Sequence, residues 1–436
     1  MLNILALLLA ASSVPLGGSE VNFLFPEELN DSRGIKIEPQ QAEPGLTLLE
    51  RDEKRPKLWF APVASTEEKD GVRLWYQRVN NDETEWIDKR TLCVGKSSGQ
   101  EFELLPLRVE PPAWGGINNV CMTRSPHTPT WGGFNVFQII RVADGFRMLY
   151  WDQPEAAGQA GAMTAYSGDG LGWTKDPGAV FTEHNDAFTL IECGGEYICY
   201  QTMLKDWPDK PCADNLPGKR RVQTVRLSKN LRTWTPQVPL LDPDAQDAPD
   251  VEFYLMKAFR YGGAYAGLLM KYYADPEAPG KHSAICKYEL IASRDAKKWS
   301  RPFRDTDLGF WSYADPFMLR GRLHFAIWKE GGMVTVSYKP GRLAAISDVG
   351  GDGEFTIPRM GQRPKTIILD ADTENGQLEM EAFEIESGRK VESFRIGGVN
   401  GRLSCLLEES EYRADRMLGV RFRLRNAKLY SVRFTD

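Results

Sequence analysis

Carboxylate side chains cluster in one short segment of this chain. Asp247, Asp250 and Glu252 lie within six positions of one another. Alternate residues of an extended strand point to the same face, so a strand here would present Asp250 and Glu252 together. Carboxyl groups placed close together can act as a general acid and a general base when their surroundings separate their pKa values. The segment is therefore a candidate catalytic site, and the alternative is a cluster of solvated loop acids.

Further polar and aromatic side chains precede other predicted strands. Asp186 starts the run 186–190, and Asp315 follows an aromatic segment. Asn118 and Asn119 stand before another strand, where amide groups are suited to hydrogen bonding with ligand hydroxyls. Trp114 is an amphipathic ring that can stack on a ligand ring. Each has a structural alternative, because an aspartate can cap the start of a strand and a tryptophan can pack inside the fold.

The elements that must position these residues are repeated pairs of strands. One unit recurs with a period of several tens of residues, which indicates a repeat architecture. Each copy has an alternating strand after a glycine, a second alternating strand and a turn closed by an aromatic residue. The five copies begin at Gly71, Gly145, Gly195, Gly263 and Gly321. Alternation predicts half-buried strands, so five copies predict a propeller of five blades.

The pattern changes after Pro340, where a glycine-rich stretch at 350–353 leads into evenly spaced short strands. Such spacing is typical of a β-sandwich. No long amphipathic helix is evident, which disfavours α/β and α-solenoid folds. The sequence therefore predicts an all-β protein. A five-bladed β-propeller at 19–342 is followed by a small C-terminal β-sandwich at 343–436.

The N-terminus has the composition of an export signal. Residues 1–11 form a short apolar run, which small residues and then Glu20 follow. This pattern predicts a signal peptide at 1–18 and a secreted or periplasmic protein, and the alternative is a buried N-terminal strand. No other apolar stretch is long enough to cross a bilayer, so no membrane span is expected.

Charge and cysteine usage exclude several classes of partner. The chain of 436 residues carries 54 Lys and Arg against 60 Asp and Glu and has no basic run, so nucleic acid is not an expected partner. Its seven cysteines show no metal-ligand spacing, and neither a metal nor a cofactor is predicted. Cys193 and Cys199 could pair across one hairpin, or the thiols are all free.

Three stretches of the chain resemble a known group of proteins. They are residues 145–174, the strand start at Asp186 and the terminal run 421–431. These stretches are similar to secreted glycosidase-like proteins of environmental bacteria. The propeller of those proteins resembles that of the invertase, levansucrase and arabinanase group, and a β-sandwich follows it. The resemblance covers most of the chain from about residue 21 and identifies architecture better than chemistry.

The resemblance implies a glycosidase site in the central channel. Enzymes of that group carry three carboxylates on the innermost strands of their first three or so blades. One carboxylic acid protonates the leaving oxygen while a carboxylate attacks, or activates water, on the other face of the sugar. Carried over to this chain, the resemblance implies Asp186, Asp250 and Glu252 as catalytic residues, with Glu252 as the general acid.

The same resemblance implies a carbohydrate-binding set around these acids. Its members are polar or aromatic residues expected near the channel: Asn118, Asn119, Asp247, Asp315 and Trp114. The first blade departs from the group, because its expected innermost strand at 57–62 contains no acid. The predicted function is a glycoside hydrolase-like protein acting on a polysaccharide-derived glycoside. The alternatives are a non-catalytic carbohydrate-binding propeller and a sialidase-like hydrolase.

Overall fold

The chain folds almost entirely into β-strands. The computed structural model describes residues 20–54, 57–80, 90–105, 119–128, 133–156, 158–183, 186–210, 216–274, 284–359, 366–407 and 418–435. Within these ranges no α-helix occurs, and one short 3₁₀ helix accompanies the strands. The chain divides into two compact units. The larger comprises 42–259 and 265–339, and the smaller combines residues up to 41 with 260–264 and the chain from 340 onward.

The first three strands of the described chain belong to the smaller unit. They are β1 (Glu20–Asn22), β2 (Asn30–Arg33) and β3 (Ile35–Pro39), and the 3₁₀ helix Pro26–Glu28 lies between the first two. β1 pairs with residues 431–433, and β3 pairs with residues 344–348. Sequence analysis assigned the chain from residue 19 onward to the propeller, and these pairings correct that boundary. Alternation marks a strand, but the apolar face that the strand can bury selects its partner.

The larger unit contains five antiparallel sheets within the described residues. It begins with β4 (Glu43–Leu49). The first sheet has β5 (Leu58–Glu68), β6 (Gly71–Asn80), β7 (Arg90–Ser97), β8 (Phe102–Leu104) and β9 (Val120–Thr123). The second has β10 (Asn135–Val142), β11 (Gly145–Asp152), β12 (Gly161–Ser167) and β13 (Thr174–Lys175). The third has β14 (Phe188–Cys193), β15 (Glu196–Asp206), β16 (Lys219–Ser228) and β17 (Val238–Leu241). The fourth has β18 (Val251–Tyr261), β19 (Ala264–Tyr273) and β20 (Ile285–Ser293), and the fifth has β21 (Phe317–Leu319), β22 (Arg322–Lys329) and β23 (Gly332–Tyr338).

Strand β4 completes the fifth sheet, so the start of the unit closes onto its end. β4 pairs antiparallel with β23, and the Thr335 hydroxyl accepts a hydrogen bond from the Leu46 amide at 2.7 Å. Each repeat that the sequence shows coincides with the second strand of one sheet, at β6, β11, β15, β19 and β22. The all-β prediction with a β-propeller is confirmed, and the described part of the larger unit has as many sheets as the predicted blades.

Two repeat glycines are required by close packing against the next strand. A Cβ atom on Gly71 would lie 2.2 Å from the Ser97 carbonyl oxygen, and one on Gly145 would lie 2.3 Å from the Ser167 carbonyl oxygen. Both contacts are far inside van der Waals distance, so only glycine fits these strand starts. The sheets also contact one another directly, because the Trp75 indole donates a 2.8 Å hydrogen bond to the Gly170 carbonyl of the next sheet.

The smaller unit is a β-sandwich. Its remaining strands are β24 (Ala344–Asp348), β25 (Gly353–Arg359), β26 (Thr366–Asp372), β27 (Gln377–Glu384), β28 (Lys390–Gly397), β29 (Asn400–Leu406), β30 (Leu418–Arg425) and β31 (Lys428–Thr435). One sheet has the order β29-β26-β31-β24-β3, with β1 also paired to β31, and the other has the order β2-β25-β30-β27-β28. Buried apolar residues from both sheets form one core, in which the rings of Phe355 and Phe422 stack at 5.1 Å. Two sheets that share one core are the arrangement expected of the predicted sandwich.

Three further predictions concern the signal peptide, a membrane span and the pairing of two cysteines. The predicted signal peptide at 1–18 lies outside the described residues. Among the described residues, no helix has the length and apolar character needed to cross a membrane. Cys193 and Cys199 are both free thiols, because the paired register places Cys193 opposite Glu196 and Cys199 opposite Leu190.

Candidate functional site

The first strands of all five sheets in the larger unit meet one another through side-chain hydrogen bonds. Ser65 of β5 donates to the carbonyl of Asp315, just before β21, at 2.6 Å. Gln138 of β10 donates to the Asp315 carboxylate at 3.0 Å and accepts from Lys257 of β18 at 2.7 Å. Thr189 of β14 donates to the carbonyl of Met256 in β18. These contacts show that the first strands surround a common axis.

Asp315 is the best-defined carboxylate at this axis. Lys257 Nζ lies 2.7 Å from one Asp315 oxygen, and the amide of Gln138 holds the other. The side chain of Lys257 is 1% exposed, whereas that of Asp315 is 38% exposed. Burial lowers the pKa of Lys257, and the charge of Asp315 opposes that shift. The pair therefore combines a buried cation with a carboxylate that still reaches solvent.

Asp186 is the second carboxylate of the region. It stands just before β14, is half-buried and accepts a 2.9 Å hydrogen bond from the amide of Asn135. Burial lowers the pKa of Arg90, and the charge of Asp186 is the largest of the influences that oppose this shift. Burial also raises the pKa of Tyr313. The charge of Asp186 adds to this rise, and the charge of Arg90 reduces it. Asp186 therefore shares its surroundings with one guanidinium and one protonated phenol.

A β-bulge in β10 allows one strand to hold both carboxylates. The pairing of β10 with β11 shifts between Val136 and Gln138, which leaves Phe137 as an extra residue. An extra residue reverses the alternation of faces, so Asn135 and Gln138 both point toward the axis. Three residues of strand, shortened by the bulge, span roughly 7–10 Å. Asp186 and Asp315 are thus held by two residues of one strand, at different positions along the axis.

Aromatic rings lie beside these carboxylates. Trp311 and Tyr313 precede Asp315, and their rings make an edge contact with centroids 5.5 Å apart. Both side chains are half-buried, as is Tyr254. Within the described part of the chain, the buried indole N–H of Trp311 makes no hydrogen bond. Half-buried amphipathic rings are suited to contact with the faces of a sugar.

Glu252 has a different environment from the one that the resemblance implied. Its side chain is fully buried, with Lys210 at 2.8 Å from one oxygen and the guanidinium of Arg221 at 2.9 Å from the other. The backbone N–H of Arg221 donates to the same carboxylate at 2.8 Å. Both carboxylate oxygens are occupied by these contacts and the side chain is enclosed, whereas a general acid must reach the leaving oxygen of a substrate. The contacts favour a structural role, and the general-acid role stays a prediction.

Asp247 likewise lies in an ion-pair network. Arg301 makes two hydrogen bonds of 2.6 Å to its carboxylate, and the side chain of Asp247 is 5% exposed. Arg301 also binds Glu289 at 2.7 Å, so one guanidinium links two acids. An ion pair of this type fixes the loop before β18 to the fourth sheet. The proposed sugar contact of Asp247 stays a prediction that these contacts do not favour.

Of the four remaining predicted residues, the structure describes two, Asp250 and Asn119. Asp250 is half-buried and, within the described residues, makes no hydrogen bond or ion pair. Burial raises the pKa of Tyr273, and the charge of Asp250 adds to that rise. Asn119 is buried, and its amide donates to the Tyr76 hydroxyl at 2.7 Å and to the Val94 carbonyl at 2.9 Å. Its donors are therefore occupied within the fold. Trp114 and Asn118 lie outside the described residues.

Sequence reasoning missed the groups that hold the two axial carboxylates. Gln138 and Lys257 are 0% and 1% exposed, although both are polar. Gln138 interrupts the apolar run 136–140 and Lys257 interrupts the apolar run 253–259, and such an interruption is a signal that could have identified them. Asn135 and Arg90 begin β10 and β7 and carry no comparable signal. No group of three or more metal-ligating side chains occurs among the residues that the structure describes.

Comparison with known proteins adds similarity of backbone only. No family model and no curated protein sequence matches this chain. A solved glycoside hydrolase is 11% identical over 72% of this chain and 94% of its own, with a TM-score of 0.45. The β-1,2-mannobiose phosphorylase of Listeria innocua is 10% identical over 68% of this chain and 98% of its own, with a TM-score of 0.40. A family 117 glycoside hydrolase from Zobellia galactanivorans is 9% identical over 90% of each chain, with a TM-score of 0.43. At these values the similarity carries no argument about chemistry, so the assignment of the site depends on its own residues.

Proposed function

We propose that this protein is a glycoside hydrolase-like propeller whose axial carboxylates, Asp186 and Asp315, act on a polysaccharide-derived glycoside. The observation that carries the proposal is the attachment of both acids to one bulged strand, through Asn135 and Gln138. Two carboxyl groups on opposite sides of a sugar are the minimum for acid/base cleavage of a glycosidic bond. The spacing of their anchors, roughly 7–10 Å, overlaps the range for enzymes that leave room for a water.

The partners of the two acids assign them different roles. Asp315 accepts from a buried ammonium group that fixes its position, and it is the proposed carboxylate that attacks the sugar or takes a proton from water. Asp186 accepts its 2.9 Å hydrogen bond from a neutral amide, and it is the proposed proton donor to the leaving oxygen. The pH dependence of kcat/KM is a direct test of this role, because a proton donor must carry its proton in the free enzyme.

The aromatic residues beside the acids supply the binding surface in this proposal. Trp311 and Tyr313 present half-buried rings next to Asp315, and ring stacking orients a sugar by one face. The export that residues 1–18 predict suits a polymeric glycoside found outside the cell, and it remains part of the proposal rather than of the described structure.

The experiment compares the full chain with Asp186→Asn and Asp315→Asn on a panel of aryl glycosides and soluble polysaccharides. Each variant should lower kcat/KM by about 10²–10⁴, because a positioned acid or base contributes that much. The control is Asp70→Asn, which removes an exposed acid paired with Lys96 in the turn after β5. It should leave turnover unchanged. Equal turnover in all four proteins would refute the proposal.

A non-catalytic carbohydrate-binding propeller is the second candidate. Two observations favour it: the described part of β5 carries no acid at its start, and Glu252 is neutralised by two cations. In that case the wild-type chain should bind oligosaccharides in calorimetric titration without hydrolysing them, and Asp315→Asn should weaken binding. Turnover by the wild-type chain excludes this candidate.

A further inference from the structure

The smaller unit carries a charged cleft on the outer face of one of its sheets. The cleft has a volume of about 320 Å³ and is formed by strands β27, β28 and β30. A volume near 300 Å³ is at the lower end of the range for small-ligand sites. The charged residues that line it are Glu379, Glu381, Lys390, Arg395, Arg421 and Arg423. The cleft is independent of the axial carboxylates described above.

The strand register builds this lining. Glu379 lies opposite Arg423 on one side and Arg395 on the other, and Glu381 lies opposite Arg421. Alternate residues such as Met380, which is 1% exposed, point into the sandwich core instead. Because successive strand residues point to opposite faces, Glu379 and Glu381 of β27 and Arg421 and Arg423 of β30 share the outer face, whereas Glu384 at the end of β27 is buried. The charges therefore form a fixed two-dimensional array.

Cations exceed anions in this array. Glu379 accepts from Arg395 at 2.7 Å, and Glu381 accepts from Arg421 at 3.0 Å. Lys390 is exposed and has no ion-pair partner among the described residues. Arg423 donates to Glu354 of the neighbouring strand β25 at 2.5 Å, so the four cations of the lining face three carboxylates and one positive charge is left over. The chain as a whole has a net charge of −6. A locally cationic cleft on an acidic protein attracts an anionic ligand.

The mixed lining narrows the class of ligand. Arginine forks bind carboxylate and sulfate groups in a bidentate manner, whereas Glu379 and Glu381 offer acceptors for hydroxyl groups. A polynucleotide or a multiply charged phosphate would meet these two carboxylates and be repelled. Exposed ion pairs contribute only about 0–1 kcal/mol each to folding, so stability alone does not account for the excess of cations.

We propose that this cleft binds a sugar unit carrying one carboxylate or one sulfate, as part of an acidic polysaccharide. Arg421 and Arg423 hold the anionic group, and Glu379 and Glu381 accept hydrogen bonds from its hydroxyls. The proposal adds a second, non-catalytic carbohydrate site to the chain and does not depend on turnover at the propeller.

The test is calorimetric titration of the full chain with four probes. They are an oligogalacturonate, a sulfated galactan oligosaccharide, a neutral oligogalactoside of equal length and inorganic phosphate. The oligogalacturonate or the sulfated oligosaccharide should bind, and the one that binds identifies the anionic group. Its affinity should fall as NaCl is raised, because exposed charges are screened. Binding should be at least about tenfold weaker in Arg421→Gln, which removes a charge-assisted hydrogen bond.

The matched control is Arg402→Gln. Arg402 is an exposed strand residue of the other sheet of the sandwich, so the change in net charge is the same. It should leave the affinity for the anionic oligosaccharide unchanged, which separates the charge of the cleft from the net charge of the chain. The proposal is overturned if neither anionic oligosaccharide binds, if the neutral oligosaccharide or phosphate binds as well, or if Arg402→Gln weakens binding as much as Arg421→Gln. Circular dichroism checks that each variant is folded.

Discussion

Two regions of the larger unit place acids near the starts of inner strands, and they differ in what surrounds the carboxylate. Asp315 is paired with one buried lysine, and its side chain is 38% exposed. Glu252 is paired with one lysine and one arginine, and its side chain is fully buried. The first carboxylate can meet a ligand, whereas the second is enclosed by its partners. Position on an inner strand is therefore not sufficient for chemistry.

The difference follows from what each side chain faces. Glu252 follows the first residue of β18, and its partner Arg221 lies on β16 of the preceding sheet. Asp315 precedes β21, and its partners Gln138 and Lys257 come from two other inner strands. A carboxylate directed between sheets gains ion pairs and loses water, and a carboxylate directed to the axis keeps access to solvent.

The largest expected effect on stability concerns Glu252, the buried carboxylate. Glu252→Gln leaves the cations of Lys210 and Arg221 buried without a counter-charge. Breaking a buried pair in this way should lower the free energy of unfolding by about 3–5 kcal/mol, measured by urea denaturation. Glu155→Gln, which breaks the exposed pair with Lys175, is the control and should cost about 0–1 kcal/mol. Unchanged stability together with lost turnover would restore Glu252 as the general acid.

Lys257→Met tests the ion pair of Asp315 at the axis, for comparison with the buried ion pairs of Glu252. The variant removes a 2.7 Å charge-assisted contact to a half-exposed acid and should cost about 1–3 kcal/mol at neutral pH. Because burial lowers the pKa of Lys257, the unfolded chain binds its proton more tightly, and this residue makes stability rise as pH rises toward the ordinary lysine value. The difference in unfolding free energy between wild type and variant should therefore widen as pH rises toward the ordinary lysine pKa of about 10.4.

A second variant separates the effect of the positive charge at position 257 from the effect of its deprotonation. Lys257→Arg keeps the cation but does not titrate in this range, so its stability curve should lack the same rise. Parallel curves for the wild type and Lys257→Met would show that Lys257 keeps an ordinary proton affinity. The axial pair would then resemble an exposed ion pair, and the contrast with Glu252 would be one of burial alone.

The smallest expected effect concerns Asp250, which makes no ion pair within the described residues. Asp250→Asn should change the free energy of unfolding by less than about 0.5 kcal/mol, as for most surface substitutions. It should also leave kcat/KM for glycosides within about twofold, since the axial acids are held by other strands. A large loss of turnover in this variant would move the site to the start of β18.

Part of the site was accessible from sequence, and its supporting groups were not. Asp186 and Asp315 both belong to the predicted set, because each stands just before a strand of the repeat. Lys257 and Gln138 were missed, because their hydrogen bond joins residues 119 positions apart in the sequence. Single-sequence reasoning detects local alternation, whereas a contact between two inner strands depends on how five sheets close around an axis.

The sequence by itself determined the β character, the five repeats and the sandwich strands, because alternation and turn glycines act within one hairpin. The tertiary structure alone decided that residues 20–39 complete the sandwich and that the ends of the propeller unit join through β4 and β23. It also decided which acids stay accessible. Burial and ion pairing are set by side chains distant in sequence, as with Arg221 and Glu252 or Lys257 and Asp315, and no local pattern encodes them.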